Sequence, residues 1–171
     1  MPAVPVTVRS ARPGDLPAVR RFGATHVYAH YAPLIGAEHA RGQVTRWWDE
    51  EYLARAVAAG RLLVATVGDA LVGVAQHGLA GDDHVIYKLY VDPAHRGSGI
   101  GRELIAAIEE RLPPTAPRLC VEHVAANRRA GAFYEREGFV VERVEPSPAG
   151  QAELDLVWRA RARTGAPERR A

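Results

Sequence analysis

Residues 87–104 read YKLYVDPAHRGSGIGREL, and this stretch decides the fold. A β-rich run at residues 85–91 ends at Asp92, and a turn with three glycines follows it. Beyond the turn, apolar residues recur at helical spacing and make one face of the segment apolar. The residues of this face are Ile100, Leu104, Ile105, Ile108 and Leu112. The stretch therefore predicts a strand, a glycine turn and an amphipathic helix in direct succession.

The three glycines, Gly97, Gly99 and Gly101, make this turn a candidate phosphate site. Glycine permits tight turns and lets a ligand come close to the backbone N–H groups. The first N–H groups of a helix lack intrahelical partners, and the helix dipole adds about half a positive charge there. Such a turn binds phosphate or pyrophosphate. A loop that merely needs flexibility is the alternative, which the helix directly behind the turn disfavours.

Two common phosphate-binding motifs fit the turn poorly. The Walker A loop needs Gly-Lys-Ser/Thr, but Arg102 follows Gly101 here. The dinucleotide fingerprint needs its third glycine one residue later, although Glu122 does follow at about the 20-residue distance of its acidic residue. The chain also shows one convincing strand–helix–strand unit, which is too little for a dinucleotide fold.

Strand and helix patterns are distributed unevenly along the chain. Alternation and turn residues predict strands at 4–9, 61–67, 71–78, 85–91, 119–124, 139–144 and 153–158. Helical patterns cover 16–31, 38–59, 100–112 and 127–137, with breaks expected at Pro33, Gly36 and Gly60. Short turns between residues 61 and 91 indicate an antiparallel meander. Together these patterns predict an α+β fold.

The composition is that of an ordinary globular protein, with 47% hydrophobic and 25% charged residues among 171. We expect one domain over residues 1–160. No apolar run reaches the ~20 residues that span a bilayer, and the first residues show no signal-peptide pattern. Cys120 is the only cysteine, which excludes an internal disulfide. These features predict a cytoplasmic protein without a membrane partner.

The positive charge is concentrated at the C-terminal end. Residues 161–171 contain four Arg and one Glu, so their net charge is +3. The net charge of the whole chain is +2. The remaining residues therefore carry −1, which does not favour nucleic acid as a partner. The Pro, Gly and Arg content of residues 161–171 predicts a disordered, Arg-rich tail.

Two motifs together resemble the GNAT superfamily of N-acetyltransferases. RGSGIG at 96–101 resembles the R/Q-x-x-G-x-G/A pyrophosphate loop of that family, and LYVDP at 89–93 resembles the strand before the loop. NRRAGAFYEREGF at 127–139 resembles its N-x-x-A-x-x-F-Y-x-x-x-G-F stretch. The resemblance implies a GNAT-like mixed, mostly antiparallel sheet with splayed central strands and flanking helices.

The resemblance also implies an acetyl-CoA site. The pantetheine arm of acetyl-CoA would form hydrogen bonds with the backbone of Leu89, Tyr90 and Val91. Asn127 matches the residue whose side-chain amide contacts this arm. The pyrophosphate would take N–H groups from the turn, which consists of Arg96, Gly97, Ser98, Gly99, Ile100, Gly101 and Arg102. Tyr134 matches the tyrosine that protonates the departing thiolate.

The chemistry of acetyl transfer fits a tyrosine in this role. Attack of an amine on a thioester needs a neutral amine, a polarised carbonyl and a protonated leaving group. Backbone N–H groups can stabilise the developing oxyanion. A phenol with a pKa of about 10 can donate its proton to a thiolate. We therefore predict Tyr134 as the general acid, and packing of its ring on a helix face is the alternative.

Three residues are candidates for the base that deprotonates the amine. Asp83 begins the fourth strand, near the position where ribosomal-protein acetyltransferases of the family carry a glutamate. Glu122 lies on the fifth strand, where some aminoglycoside acetyltransferases place an acidic residue, and His123 faces the opposite side. A turn carboxylate, a surface carboxylate and a buried core histidine are the structural alternatives. We take Asp83 and Glu122 as the catalytic candidates. Members of the family that these motifs resemble often work without a dedicated base, so the need for one stays open.

The acceptor is expected to contact the first two helices, where aromatic side chains are concentrated. Tyr28, Tyr31 and Trp47 are the candidate substrate-binding residues. His26 and His30 have the i, i+4 spacing of zinc ligands, but they lack a third ligand, and we expect no metal.

The sequence thus predicts an acetyl-CoA-dependent N-acetyltransferase that acts on a primary amine of a small molecule or peptide. Two alternatives stay open. One is a non-catalytic acyl-CoA sensor, which the intact Asn127 and Tyr134 disfavour. The other is a dinucleotide-binding oxidoreductase. The sequence does not predict the oligomeric state and is compatible with a homodimer.

Overall fold

The structure is a computed structural model that describes residues 5–163. Its strands are β1 (Val6–Ser10), β2 (Leu62–Val67), β3 (Ala70–Ala80), β4 (Asp83–Val91), β5 (Arg118–Val124), β6 (Val140–Glu145) and β7 (Leu156–Ala162). Its α-helices are α1 (Leu16–Phe22), α2 (Tyr28–Ile35), α3 (Ala37–Trp47), α4 (Glu50–Ala58), α5 (Ile100–Arg111) and α6 (Arg128–Arg136). A π-helical segment, Gly23–Val27, connects α1 to α2.

The seven strands form one mixed sheet in the order β1-β2-β3-β4-β5-β7-β6. Antiparallel pairs join β1 to β2, β2 to β3, β5 to β7 and β7 to β6. Strands β4 and β5 are parallel, with register pairs from His84–Leu119 to Ile86–Val121. A parallel pair needs a long crossover connection, which α5 supplies. The predicted mixed, mostly antiparallel sheet with flanking helices is confirmed.

The helix boundaries differ from the prediction at two points. Pro33 lies inside α2 instead of ending the helix. Its fixed φ suits a helix, although its missing N–H leaves one intrahelical hydrogen bond unmade. The predicted helix at 38–59 is two helices, because Asp49 is extended and its carboxylate accepts the Tyr52 N–H at 3.0 Å as the N-cap of α4. Gly36 ends α2, as predicted, with a φ of +84°.

Strand β7 extends into the predicted disordered tail. Arg161 pairs with Leu119, and Ala162 pairs with Arg118. The guanidinium of Arg163 donates to three backbone carbonyls, those of Glu109, Pro113 and Ala116. The prediction is therefore wrong for residues 161–163, where these strand pairs and carbonyl contacts hold the arginines in place. Residues 164–171 lie outside the described residues.

The chain divides into two compact units that interleave in sequence. The first unit contains residues 5–76 and Lys88–Ile108, and the second contains His77–Tyr87 and residues 109–163. The prediction of one domain over residues 1–160 stays a prediction. Among the described residues, none of the helices has the length and apolar character needed to cross a membrane.

Each unit has its own buried apolar cluster. In the first, Gly73 on β3 makes room for α5, since a Cβ there would lie 3.2 Å from side-chain atoms of Ala65, Ile100 and Leu104. In the second, a buried cluster consists of Val85, Cys120, Trp158 and Ala160. The apolar face predicted for the helix after the turn is confirmed, because Ile100, Leu104, Ile105 and Ile108 of α5 are buried, as is Leu112 directly after it.

Candidate active site

The glycine turn of the first unit has an open, left-handed backbone. Gly97 and Gly99 have φ values of +80° and +89°, which L-residues other than glycine rarely adopt. Within the described part of the chain, apart from the adjoining residues, no atom lies within 4 Å of the position that a Cβ would take at either glycine. Backbone conformation, rather than crowding, therefore requires glycine at both positions, and the side of the turn stays open to a ligand.

Polar contacts hold the turn in shape. The Asp92 carboxylate accepts the Ala94 N–H at 3.0 Å and lies 3.1 Å from His95 Nδ1. Arg96 Nε donates to the carbonyl of Val91 at 3.2 Å and thereby ties the turn back to the end of β4. The Ala94 N–H in particular lowers the pKa of Asp92, against the opposing effect of burial. Asp92 is consequently a fixed negative charge at the start of the turn.

Helix α5 begins directly after the turn. Its Glu103 N–H donates to the carbonyl of Gly99 at 3.1 Å. A helix leaves its first N–H groups without intrahelical acceptors, and Ile100 and Gly101 are the first residues of α5. The buried side chain of Ile100 anchors the helix start. The N–H groups of this first turn and its dipole therefore suit a phosphate.

An aromatic group surrounds Tyr90 on β4, in the same unit. Its hydroxyl donates to the Tyr31 hydroxyl at 3.3 Å, and its ring centroid lies 5.5 Å from that of Trp48. Trp47 is 40% exposed and contacts Tyr52, with ring centroids 5.3 Å apart. Of the predicted acceptor residues, Tyr31 thus contacts Tyr90. Trp48 rather than Trp47 joins them, and the half-buried Tyr28 lies at the start of α2.

Lys88 forms a buried polar group that sequence reasoning missed. It is 4% exposed, and its Nζ donates to Gln76 Oε1 at 2.6 Å. Gln76 Nε2 in turn donates to the Tyr52 hydroxyl at 3.1 Å. Lys88 Nζ also lies 4.4 Å from the Tyr52 ring centroid and 5.5 Å from that of Trp48. Burial lowers the pKa of Lys88 to about 7, against the attraction of Asp49. A single lysine within the apolar run VIYKLYV was the available signal.

In the second unit, one face of α6 carries both of its predicted site residues. Asn127, Gly131 and Tyr134 follow each other at i, i+4 and i+7, and all three are buried. The Asn127 side chain caps the helix by accepting the Ala130 N–H at 3.2 Å. The spacing of the sequence motif therefore places Asn127 and Tyr134 along one line of the helix surface.

The ring of Tyr134 is packed on three sides and is 5% exposed. Phe133 and Phe139 meet it edge-on, with centroids at 5.2 Å and 5.6 Å. The His123 ring lies nearly parallel to it, at a centroid distance of 6.1 Å and an angle of 21°. The ring of Tyr134 is therefore packed, and its role as the general acid stays a prediction, since a packed ring can still present its hydroxyl to a substrate.

His123 has both ring nitrogens engaged. Arg159 Nε donates to His123 Nε2 at 3.2 Å, and His123 Nδ1 lies 3.0 Å from the carbonyl of Val124. An arginine can only donate and a carbonyl can only accept, so Nε2 carries no proton and Nδ1 carries one. Burial, aided by the charge of Arg159, lowers the pKa of His123. His123 is a fixed neutral imidazole, and its basic nitrogen is occupied.

The two carboxylate candidates have different surroundings. Asp83 accepts two hydrogen bonds from Arg118, both at 2.8 Å, and so forms a bidentate ion pair. Glu122 is half-buried, and its pKa is raised by burial and by the charge of Glu145. Glu122 therefore takes up a proton more readily than an ordinary glutamate, whereas Asp83 is held in an ion pair. No group of three potential metal ligands occurs among residues 5–163.

Comparison with known proteins shows what this arrangement is similar to. Residues 58–141 match the sequence profile of the Acetyltransferase (GNAT) domain. Among curated protein sequences, none matches the chain significantly.

Solved structures share the fold over nearly the whole chain. The PaiA N-acetyltransferase from Thermoplasma acidophilum, in complex with coenzyme A, is 16% identical with a TM-score of 0.79 and covers 93% of this chain and 99% of its own. An acetyltransferase from Thermus thermophilus is 23% identical with a TM-score of 0.70, and the match covers 94% of this chain and 99% of its own. The ribosomal-protein-S18-alanine N-acetyltransferase from Escherichia coli is 23% identical with a TM-score of 0.65, and the match covers 98% of this chain and 99% of its own.

Proposed function

We propose that this chain is a GNAT acetyltransferase and that it transfers an acetyl group from acetyl-CoA to a primary amine by direct attack on the thioester. The observation that carries the proposal is the turn before α5. Gly97 and Gly99 hold it in a left-handed, open conformation directly before a helix N-terminus. This arrangement suits the pyrophosphate of a CoA thioester.

In the proposed complex, the chain binds the cosubstrate through its backbone. The N–H groups between Arg96 and Arg102 bind the pyrophosphate, and the backbone of Leu89, Tyr90 and Val91 binds the pantetheine arm. Asn127 contributes its amide. The coenzyme A complex of the PaiA protein supports this choice of cosubstrate by analogy of fold.

Tyr134 is the proposed general acid and Glu122 the proposed base. Tyr134 would donate its phenol proton to the departing thiolate. Glu122 would take a proton from the acceptor nitrogen, directly or through water, because its raised pKa favours uptake of a proton. We assign Asp83 a structural role, since it holds Arg118.

The proposed acceptor is a primary amine of a small molecule or a peptide. Aromatic side chains of the first unit support an acceptor with an organic framework, and Tyr28, Tyr31 and Trp47 are the residues that we assign to it. The described residues contain no helix suited to a membrane and one buried free cysteine, and we propose that the protein acts in the cytoplasm.

Binding of acetyl-CoA to glycine variants tests the cosubstrate. Gly99→Glu introduces a side chain and a negative charge into the turn and should abolish binding in calorimetry, and so should Gly101→Glu. Gly68→Glu is the matched control, because Gly68 also has a positive φ of +58° and open space around it but lies between β2 and β3. The two variants at positions 68 and 99 carry similar backbone strain, about 1–2 kcal/mol. Unaltered binding to both Gly99→Glu and Gly101→Glu would overturn the assignment of the turn.

Release of CoA over a panel of amines tests the transfer. Tyr134→Phe keeps the ring and removes the hydroxyl, so kcat should fall by about 10²–10⁴-fold while acetyl-CoA still binds. Glu122→Gln should lower the rate more than Asp83→Asn. Tight binding of acetyl-CoA without turnover on any amine would instead favour the sensor.

A further inference from the structure

We propose that His123 and Arg159 are positioning residues, which hold the ring of Tyr134 so that its hydroxyl stays aimed at the leaving sulfur. This inference rests on the proposed function of Tyr134. It goes beyond that function by assigning roles to two residues that do not themselves take part in proton transfer.

The first step of the argument is the fixed state of His123. Arg159 Nε and the Val124 carbonyl determine its tautomer, and neither nitrogen is available for another proton without breaking a hydrogen bond. The imidazole therefore can neither rotate about its long axis nor take up a second proton without losing a hydrogen bond. A ring of this kind is a rigid surface, and the ring of Tyr134 lies nearly parallel to it.

The second step is the fixed position of Arg159. Besides His123, its guanidinium contacts the carbonyl of Phe139 through Nη1 at 3.3 Å. Phe139 packs edge-on against Tyr134, so Arg159 connects the ring of His123 with the backbone of Phe139, and both residues enclose the phenol ring. Removing Arg159 would therefore loosen the enclosure on two sides.

The third step is the close approach of α6. A Cβ on Gly131 would lie 3.3 Å from Arg159 Nη2 and 3.3 Å from His123 Cε1. Gly131 precedes Tyr134 by three residues and lies on the same helix face. The absent side chain lets the His123–Arg159 pair fit against the backbone that carries Tyr134.

The reaction explains why the hydroxyl must be held. When the C–S bond breaks, its electron pair moves to sulfur, which takes the phenol proton and leaves as the thiol. The acceptor nitrogen loses one proton to Glu122, and the phenolate regains a proton from solvent as Glu122 releases the one that it took. A thiol has a pKa of about 8.5 and a phenol one of about 10, so this transfer is uphill and depends on a well-aligned hydrogen bond.

A double-mutant cycle on kcat is the decisive experiment. Arg159→Met should lower kcat by about 10-fold, a part of the 10²–10⁴-fold that an acid contributes, and leave the KM for acetyl-CoA within about twofold. In the Tyr134→Phe background, Arg159→Met should cost less than about twofold more, because the hydroxyl that it positions is already gone. Arg163→Met is the matched control, since Arg163 also donates to backbone carbonyls of the second unit, but to those of Glu109 and Ala116 rather than to Phe139. Equal losses in both backgrounds would overturn the proposal.

Ring motion gives a readout that does not depend on turnover. With ¹³C-labelled tyrosine, the signal of Tyr134 is assigned by its loss in Tyr134→Phe, and its ring-flip rate is measured. Arg159→Met should raise this rate and Arg163→Met should not. An unchanged rate in Arg159→Met would contradict the positioning role even if the enzyme is active. A raised rate in a protein that acetylates no amine would support the positioning role and refute the proposed function.

Discussion

Each of the two units buries a titratable side chain among aromatic rings, but the partners of that side chain differ. Lys88 in the first unit contacts uncharged groups, namely the Gln76 amide and the rings of Tyr52 and Trp48. His123 in the second unit accepts a hydrogen bond from the guanidinium of Arg159. The neutral form of Lys88 is therefore favoured by burial alone, whereas the neutral form of His123 is favoured by burial and by a neighbouring guanidinium.

This difference shows that the partners of a buried ionisable group decide how it responds to pH. Burial lowers the pKa of both side chains. For Lys88 the result is a titration near neutrality. For His123 the guanidinium of Arg159 reinforces the effect of burial, and the neutral form is stabilised further. Changes of pH and of packing can test this contrast.

The largest expected effect concerns Lys88→Met. The pKa of Lys88 is about 7 in the folded protein against an ordinary value of 10.5, so between these values the unfolded chain holds a proton that the folded chain lacks. The free energy of unfolding should therefore rise with pH by about 1.4 kcal/mol per unit above pH 7, and this contribution is lost as the pH falls back to 7. Lys88→Met should remove this slope in urea titrations between pH values of about 7 and 9.

Arg55→Met is the control for that measurement, because Arg55 is an exposed basic residue of the same unit. It should keep the slope of the unmodified protein. Equal slopes for the unmodified protein and Lys88→Met would show that the buried lysine remains protonated, and the contrast between the two groups would fail.

Gly23→Ala comes next, since Gly23 lies under the Trp48 ring. A Cβ there would overlap Trp48 Cε3, and Trp48 is a rigid side chain that is 4% exposed. Overpacking of this kind costs about 1–3 kcal/mol. Gly42→Ala in α3 is the control, because that site is open and alanine should stabilise the helix by about 0.5–1 kcal/mol. Urea unfolding of both variants measures the difference, and a stabilised Gly23→Ala would refute the packing argument.

The smallest effect is expected for Gly131→Ala in the second unit. The new Cβ would lie 3.3 Å from Arg159 Nη2 and 3.3 Å from His123 Cε1, so these groups need to shift by only a few tenths of an ångström. The helix gains about 0.5–1 kcal/mol from alanine, which offsets part of the crowding, so the free energy of unfolding should change by less than about 1 kcal/mol. The same urea titration measures it. A loss as large as that of Gly23→Ala would mean that Arg159 is as rigid as Trp48.

Local patterns made most of the fold predictable. The glycine turn, the apolar face of α5 and the strand order along the chain follow from residues that are close in sequence. The division of the helix at Asp49 could also have been predicted, because Asp49 followed by two glutamates is an N-cap signal. The extension of β7 through Arg161 could not, because it depends on pairing with β5, a strand distant in sequence.

The candidate site was predictable only where its residues share one element. The spacing of Asn127 and Tyr134 placed both on one helix face. The partners of Lys88, Asp83 and His123 come from distant segments, and sequence spacing gives no access to such contacts. The same limit applies to the adjacent tryptophans, since tertiary packing alone decided that Trp48 is buried and Trp47 is exposed.

The burial of Lys88 also determines how the protein responds to its own proposed chemistry. Of its 22 Lys and Arg residues, Lys88 is the one lysine, and its amine is enclosed in the folded first unit. The arginines keep their protons and are poor nucleophiles. The folded chain thus exposes no lysine side chain to self-modification by its acetyl donor. Acetyl-lysine detected on the purified protein by mass spectrometry would therefore mark molecules in which the surroundings of Lys88 had opened.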